Sequence, residues 1–299
     1  MPKREFPIWA YGVLFVFGLL IALGGAALQT NPGYMDAYYY FQGGTRVAAG
    51  GGWEEMFIWN YLSDPSGLPV PAFTYWMPLT SLAAALGIWL FGGSMPAFEA
   101  AQVVFMLLAA LVPPLTAALA TAVTGQRKAA WLSGILAGFT GFYLPFQTTT
   151  DSFVVYMVLG GLFFLAVLHL KRARGFLLGL LAGLMHLARA DGLLWLGVAG
   201  LAGLFDLAAE GEGIRWKVFF GRMFTLGYLR YGLAVVAGYL LVMAPWFWRN
   251  IQVFGGLFPP GGGRAIWTVP TTFVLIMAAG AVLGLEKIAL PGVEYGIAL

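Results

Sequence analysis

Apolar runs of bilayer length decide what this chain can fold into. Residues 8–28, 97–123, 152–170, 232–248 and 268–285 carry almost no charge. A spanning helix needs about 20 predominantly apolar residues, whereas a membrane barrel is written in alternating segments of about ten. With 60% hydrophobic and 10% charged residues and a mean hydropathy of +0.82, the expected class is an all-α, polytopic helical membrane protein. The 42 glycines fit that class, because small residues let helices approach closely in lipid. With no cysteine there are no disulfides, thiolate metal sites or cysteine nucleophiles. The net charge of +3 reads as loop asymmetry and not as a nucleic-acid surface. Residues 8–28 are long enough to stay as a signal anchor instead of being cleaved.

The basic clusters are Lys3/Arg4, Arg127/Lys128, Lys171/Arg172/Arg174 and Arg215/Lys217/Arg222/Arg230. Cytoplasmic placement of all four requires an even number of crossings between successive clusters. Residues 76–92, short and bounded by Pro78 and Gly92-Gly93, are therefore read as an interfacial helix, and 97–123 as one crossing through Pro113-Pro114. Residues 129–146 run outward and 152–170 return. Two short helices within 175–205 meet at Arg189-Ala190-Asp191. The expectation is about eight transmembrane helices in a single transmembrane domain, 1–299, with a cytoplasmic N-terminus. Within it lie a first external loop with interfacial helices (29–95), a cytoplasmic segment (206–231) and a Gly/Pro-rich external loop (249–267).

This topology puts Asp36, Glu54, Glu55, Asp64, Asp151, Arg189, Asp191, Arg249 and Arg264 on the extracytoplasmic side. Charges at a membrane are costly, so each is a candidate for function. Asp36, in Gly33-Tyr-Met-Asp-Ala-Tyr-Tyr-Tyr40, reads either as the N-cap of an interfacial helix or as a general base. Asp151, after Gln147-Thr-Thr-Thr, reads as an N-cap or as a second carboxylate that could share a divalent cation with Asp36. Arg189 either neutralises Asp191 or binds a phosphate. Arg249, beyond Pro245-Trp-Phe-Trp, is a second phosphate candidate. Tyr38 and Tyr39 are candidate substrate contacts. Glu54 and Glu55 read as a solvated loop face, and His169 and His186 as packing residues. There is no Walker loop, dinucleotide fingerprint or metalloprotease helix.

Gly-Tyr-Met-Asp36-Ala-Tyr-Tyr-Tyr with Ala-Ala-Gly-Gly-Gly, Tyr75-Trp-Met-Pro-Leu, Asp151-Ser-Phe, Leu187-Ala-Arg189-Ala-Asp-Gly192 and Pro245-Trp-Phe-Trp-Arg-Asn250 occur in an order that resembles the GT-C superfamily of membrane glycosyltransferases. The resemblance, to the protein O-mannosyltransferase and aminoarabinose transferase type, covers residues 1 to about 267. It implies transfer of a hexosyl or pentosyl group from a polyprenyl-phosphate carrier to a lipid, glycan or protein acceptor at the external face. Asp36 would then be the general base and Asp151 the second acidic position. Members are generally longer, so a C-terminally truncated or inactive form is a further expectation. The competing expectation is a non-catalytic polyprenyl-lipid transporter or flippase.

Overall fold

The computed structural model describes residues 6–58, 66–74, 76–170, 174–210, 213–214, 221 and 225–259. The span expected at 268–285 lies outside them, as do Asp64, Tyr75, Arg264 and the basic residues at 3, 4, 171, 172, 215, 217, 222 and 287. The described chain is helical almost throughout: α1 (Ile8–Ala26), α2 (Met35–Ala48), α3 (Leu79–Phe91), α4 (Ala97–Thr124), α5 (Arg127–Phe139), α6 (Ser152–His169), α7 (Arg174–Ala188), α8 (Leu194–Ala208) and α9 (Leu226–Phe254). Two minimal antiparallel hairpins interrupt it. β1 (Glu54–Glu55) pairs with β2 (Val70–Pro71), and β3 (Ala209–Glu210) with β4 (Gly213–Ile214).

Among the described residues four helices, α1, α4, α6 and α9, are long and apolar enough to cross a bilayer. Their outward residues, such as Val16 and Leu20 on α1 and Leu233 and Leu241 on α9, are apolar and exposed, as suits contact with lipid tails. The protein is thus an all-α, multi-pass integral membrane protein. Eight full-length crossings are not found among the described residues. At 1.5 Å per residue, the 15 residues of α7 or of α8 reach about 22 Å, short of a hydrocarbon core of about 30 Å, while α3, read from the sequence as interfacial, has only 13 residues. Helix α5 also has 13 residues and ends at Thr140, whose φ of 33° turns the chain into a 3-10 segment, Gly141–Phe146. The crossing expected over 129–146 therefore stops seven residues early as α-helix. The pair α7 and α8 does meet at Arg189, which is extended (φ −148°), followed by a 3-10 turn, Ala190–Leu193. Helix α9 begins at Leu226, inside the segment expected to be cytoplasmic, and runs past Arg249, which the sequence reading put in a loop.

Small residues set the helix contacts. Gly175, Gly179 and Gly183 recur every four residues and lie on the face of α7 that meets α9. A Cβ at Gly179 would sit 1.9 Å from the carbonyl oxygen of Val235, and one at Gly238 only 2.0 Å from that of Phe176. The two backbones touch, as small-xxx-small spacing allows in lipid. Helix α4 runs unbroken through Pro113-Pro114. Its neighbours give way there: a Cβ at Gly18 of α1 would lie 2.9 Å from Pro113 Cγ, and one at Gly134 of α5 would lie 3.1 Å from the Pro113 carbonyl oxygen. Arg174, of the basic cluster expected on the cytoplasmic side, is only 5% exposed. Its guanidinium donates to the carbonyls of Val167 (3.0 Å), in the last turn of α6, where a cation offsets the helix dipole, and of Ala202 (3.1 Å) in α8.

Candidate functional site

Six polar residues, Gln147 to Ser152, precede and open α6, and none is more than 3% exposed. Buried polar groups need partners, and three consecutive threonines find theirs on the segment joining α1 to α2 and on the first turn of α2. Thr148 Oγ1 donates to Gln29 Oε1 (2.9 Å), Thr149 Oγ1 to the Pro32 carbonyl (2.9 Å) and Thr150 Oγ1 to the Ala37 carbonyl (2.7 Å). Gln102 Nε2 of α4 donates to the same Gln29 oxygen (3.1 Å). Four separate stretches of sequence are tied together, and Asp36 and Asp151 come to one junction.

The two carboxylates are held differently. Asp151 caps α6: its Oδ1 accepts from the Ser152 backbone N–H and from Ser152 Oγ (3.0 Å), while the Tyr34 hydroxyl donates to Oδ2. The N-cap of α2 is Tyr34, not Asp36, and Asp36 sits in the first turn without a capping hydrogen bond. Asp36 is half-buried and has no hydrogen-bond or ion-pair partner among the described residues. Burial and then the neighbouring Asp151 charge raise its pKa above the ordinary 3.8, while Arg189 pulls it down. Tyr34 is pushed up by burial and by the Asp151 charge. Tyr40 is raised by burial and Asp151 against the pull of Arg189, and its hydroxyl is hydrogen-bonded to Ser152. Both tyrosines stay protonated, and Tyr34 is the one that donates to Asp151.

Arg189 closes one side of the junction. Its Nε donates to Asp191 Oδ1 at 3.1 Å, its Nη1 reaches Ser152 Oγ at 3.4 Å, and its guanidinium lies 5.8 Å from the Tyr156 ring centroid. The extended break between α7 and the 3-10 turn puts it there, and Gly192 is required at that break, since a Cβ would lie 2.2 Å from the His186 nitrogen.

The other expected site residues are elsewhere. Tyr38 is exposed. Tyr39 is 1% exposed and is bonded to Glu55, and its hydroxyl accepts from the Phe73 N–H (3.1 Å). Glu55 is not on a solvated face. It is 3% exposed, and its Oε1 accepts from the same Phe73 N–H (3.0 Å). Burial raises its pKa, opposed by those hydrogen bonds and by Arg249. Glu54 alone is exposed, 3.6 Å from Arg46. Arg249 Nη2 donates to the carbonyls of Ala72 (2.7 Å) and Trp53 (3.3 Å), and its guanidinium lies over Trp246 (4.9 Å) and Phe254 (5.1 Å). It fastens the β1–β2 hairpin to α9. Sequence reasoning missed Tyr34, Tyr40 and Ser152 as members of the Asp36–Asp151 junction. The polar run before α6, too rich in hydroxyls to be buried without a partner loop, was the signal for Ser152 and the threonines. His186 is interior, with Nδ1 2.7 Å from the Tyr239 hydroxyl, and His169 is exposed at the end of α6. No group of three or more His, Cys, Asp or Glu residues suited to a metal occurs among the described residues.

Comparison with known proteins redirects the functional reading. The HupE / UreJ protein family profile matches residues 255–299. Protein HupE of Rhizobium leguminosarum bv. viciae is 41% identical over 75 residues, which make up 25% of this chain and 35% of that protein. The chain therefore spans about a third of the length of the curated relative it matches. No solved structure matches significantly. The likeness is to HupE-type proteins and overturns the GT-C expectation. With it fall the assignment as a hexosyl- or pentosyltransferase, the polyprenyl-phosphate sugar donor and its acceptor, and the lipid flippase alternative.

Proposed function

We propose that the protein is a metal-transporter-type membrane protein whose cargo is a divalent cation of the nickel and cobalt class, met at the Asp36–Asp151 junction. The observation that carries this reading is the Asp36 carboxylate, half-buried, unpartnered among the described residues, and close enough to Asp151 for the two charges to repel. A divalent cation between them turns that repulsion into attraction and supplies Asp36 with its missing partner. Asp151, already holding three donors, contributes mainly its charge, and Asp36 is the direct oxygen ligand. The hydroxyls of Tyr34, Tyr40 and Ser152 border the same point. Arg189 opposes a cation, but Asp191 at 3.1 Å offsets its charge. The likeness of residues 255–299 to the HupE / UreJ family supports the same class of cargo. In this reading the N-terminus is cytoplasmic and the junction lies at the extracytoplasmic face.

The test is uptake of radioactive nickel or cobalt into proteoliposomes holding the full chain. Uptake by the wild type, lost in Asp36→Asn while the protein remains folded, is expected. Equal uptake by both proteins would remove Asp36 from the cation's path.

A further inference from the structure

The Asp36–Asp151 junction has a guanidinium on its rim, which a site built only to hold cations tightly would avoid. Arg189 Nη1 lies 3.4 Å from Ser152 Oγ, and that hydroxyl lies 3.0 Å from Asp151 Oδ1, so one side chain separates the arginine from the carboxylate. At Asp36 the charges of Asp151 and Arg189 act in opposite directions. Among the described residues the arginine nevertheless makes no ion pair with Asp36 or Asp151. It is turned to Asp191, whose Oδ1 accepts from Nε at 3.1 Å, with the Tyr156 ring centroid 5.8 Å from the guanidinium. The extended backbone at Arg189 and the 3-10 turn that follows place the two side chains together at the break in the helices.

We propose that the Arg189–Asp191 pair sets the charge selectivity of the junction, matching it to a doubly charged ion that can leave again, an inference that rests on the junction being a cation site. Asp36 and Asp151 supply two negative charges, and Asp191 cancels the positive charge of Arg189. Without Asp191 the guanidinium would stand uncompensated beside the carboxylates and compete with the ion for them. Without Arg189 a third negative charge would be left over, so a divalent ion would leave more slowly and a trivalent ion would gain most. Coulomb energy scales with the product of the charges. Arg189 acts through the field it adds at the carboxylates and is not a ligand, and because the pair is partly exposed, solvent screens that field.

The experiment measures binding of cobalt(II), and of terbium(III) by its luminescence, to the full chain in detergent. The proteins are the wild type, Arg189→Gln, Arg189→Lys and Asp191→Asn. Arg189→Gln should bind cobalt(II) about tenfold and terbium(III) about thirtyfold more tightly than the wild type does. Asp191→Asn should weaken both, and Arg189→Lys, which keeps the charge, should restore the wild-type preference between the two ions. In proteoliposomes Arg189→Gln should lower the half-saturating cobalt concentration and the maximal rate together, as slower release requires. A pair that only held the helix break together would lose binding in both Arg189→Gln and Asp191→Asn, by the same factor for both ions, and that result would overturn the inference. Unchanged affinities in Arg189→Gln, beside a wild type that binds cobalt(II) through Asp36, would overturn it alone. A folded wild type that binds no cobalt(II) would remove the reading of the junction and this inference with it.

Discussion

Arg189 and Arg249 look alike in the sequence, each an arginine bordering an apolar stretch and each a phosphate candidate, yet the structure uses them in opposite ways. Arg249 is largely committed: two carbonyls accept from its Nη2, and two aromatic faces and the field of Glu55 surround its charge, although its buried Nε has no hydrogen-bond partner among the described residues. Arg189 is only half committed. Its pair with Asp191 leaves the two side chains 36% and 42% exposed, and beside it Asp36 has no partner among the described residues. A satisfied polar cluster holds structure together, whereas one with spare capacity can receive something.

The contrast can be broken first at Arg249. Arg249→Ala removes two charged hydrogen bonds and the compensating charge near buried Glu55, and should cost about 3 kcal/mol or more. The β1–β2 hairpin should become protease-sensitive, and Arg249→Lys should rescue little, because an ammonium lacks the guanidinium fork. Tyr34→Phe comes next: loss of one hydrogen bond to a carboxylate should lower stability by about 1.5 to 3 kcal/mol, seen as an earlier thermal transition. Arg189→Ala should cost about 1 kcal/mol or less, since its ion pair is partly exposed. If Arg189→Ala proves as destabilising as Arg249→Ala, the distinction between the two stations fails.

The smallest effect is in the pH dependence. Asp36 has a folded-state pKa above its ordinary 3.8, so the unfolded chain ionises first as pH rises. The stability this group contributes is complete below 3.8 and is lost as pH climbs through the raised folded value. The wild type should therefore lose stability relative to Asp36→Asn on going from pH 3 to neutral, measured as the difference between their melting temperatures. Cation binding runs the other way, because a proton on Asp36 competes with the metal, and uptake should fall as pH drops.

Much of the scaffold was legible because hydropathy and length act locally. Residues 8–28, 97–123 and 152–170 correspond to α1, α4 and α6 within a few positions. The break at Arg189 was legible too, since a charged pair interrupts an apolar run. What escaped depends on contacts between distant segments. Glu55 carries no local sign of burial, because the partners that cover it, Tyr39 and Phe73, lie 16 and 18 positions away and Arg249 is farther still. Asp36 looked like a cap, but the extended backbone at Tyr34 starts α2 two residues earlier. Tyr34 could not be paired with Asp151 from sequence, since 117 positions separate them. Function was the least legible, because acidic, aromatic and basic residues near a membrane suit more than one kind of cargo. The likeness that redirected it falls on residues 255–299, away from those motifs.

The most direct measurement is equilibrium binding of nickel(II) or cobalt(II) to the full chain, in wild-type and Asp36→Asn forms, at neutral pH and again near pH 4. The account predicts saturable binding by the wild type, weakened at the lower pH and lost in the variant at both. Binding unchanged by the substitution, or absent from a folded wild type, would contradict the claim that the Asp36–Asp151 junction receives a divalent cation.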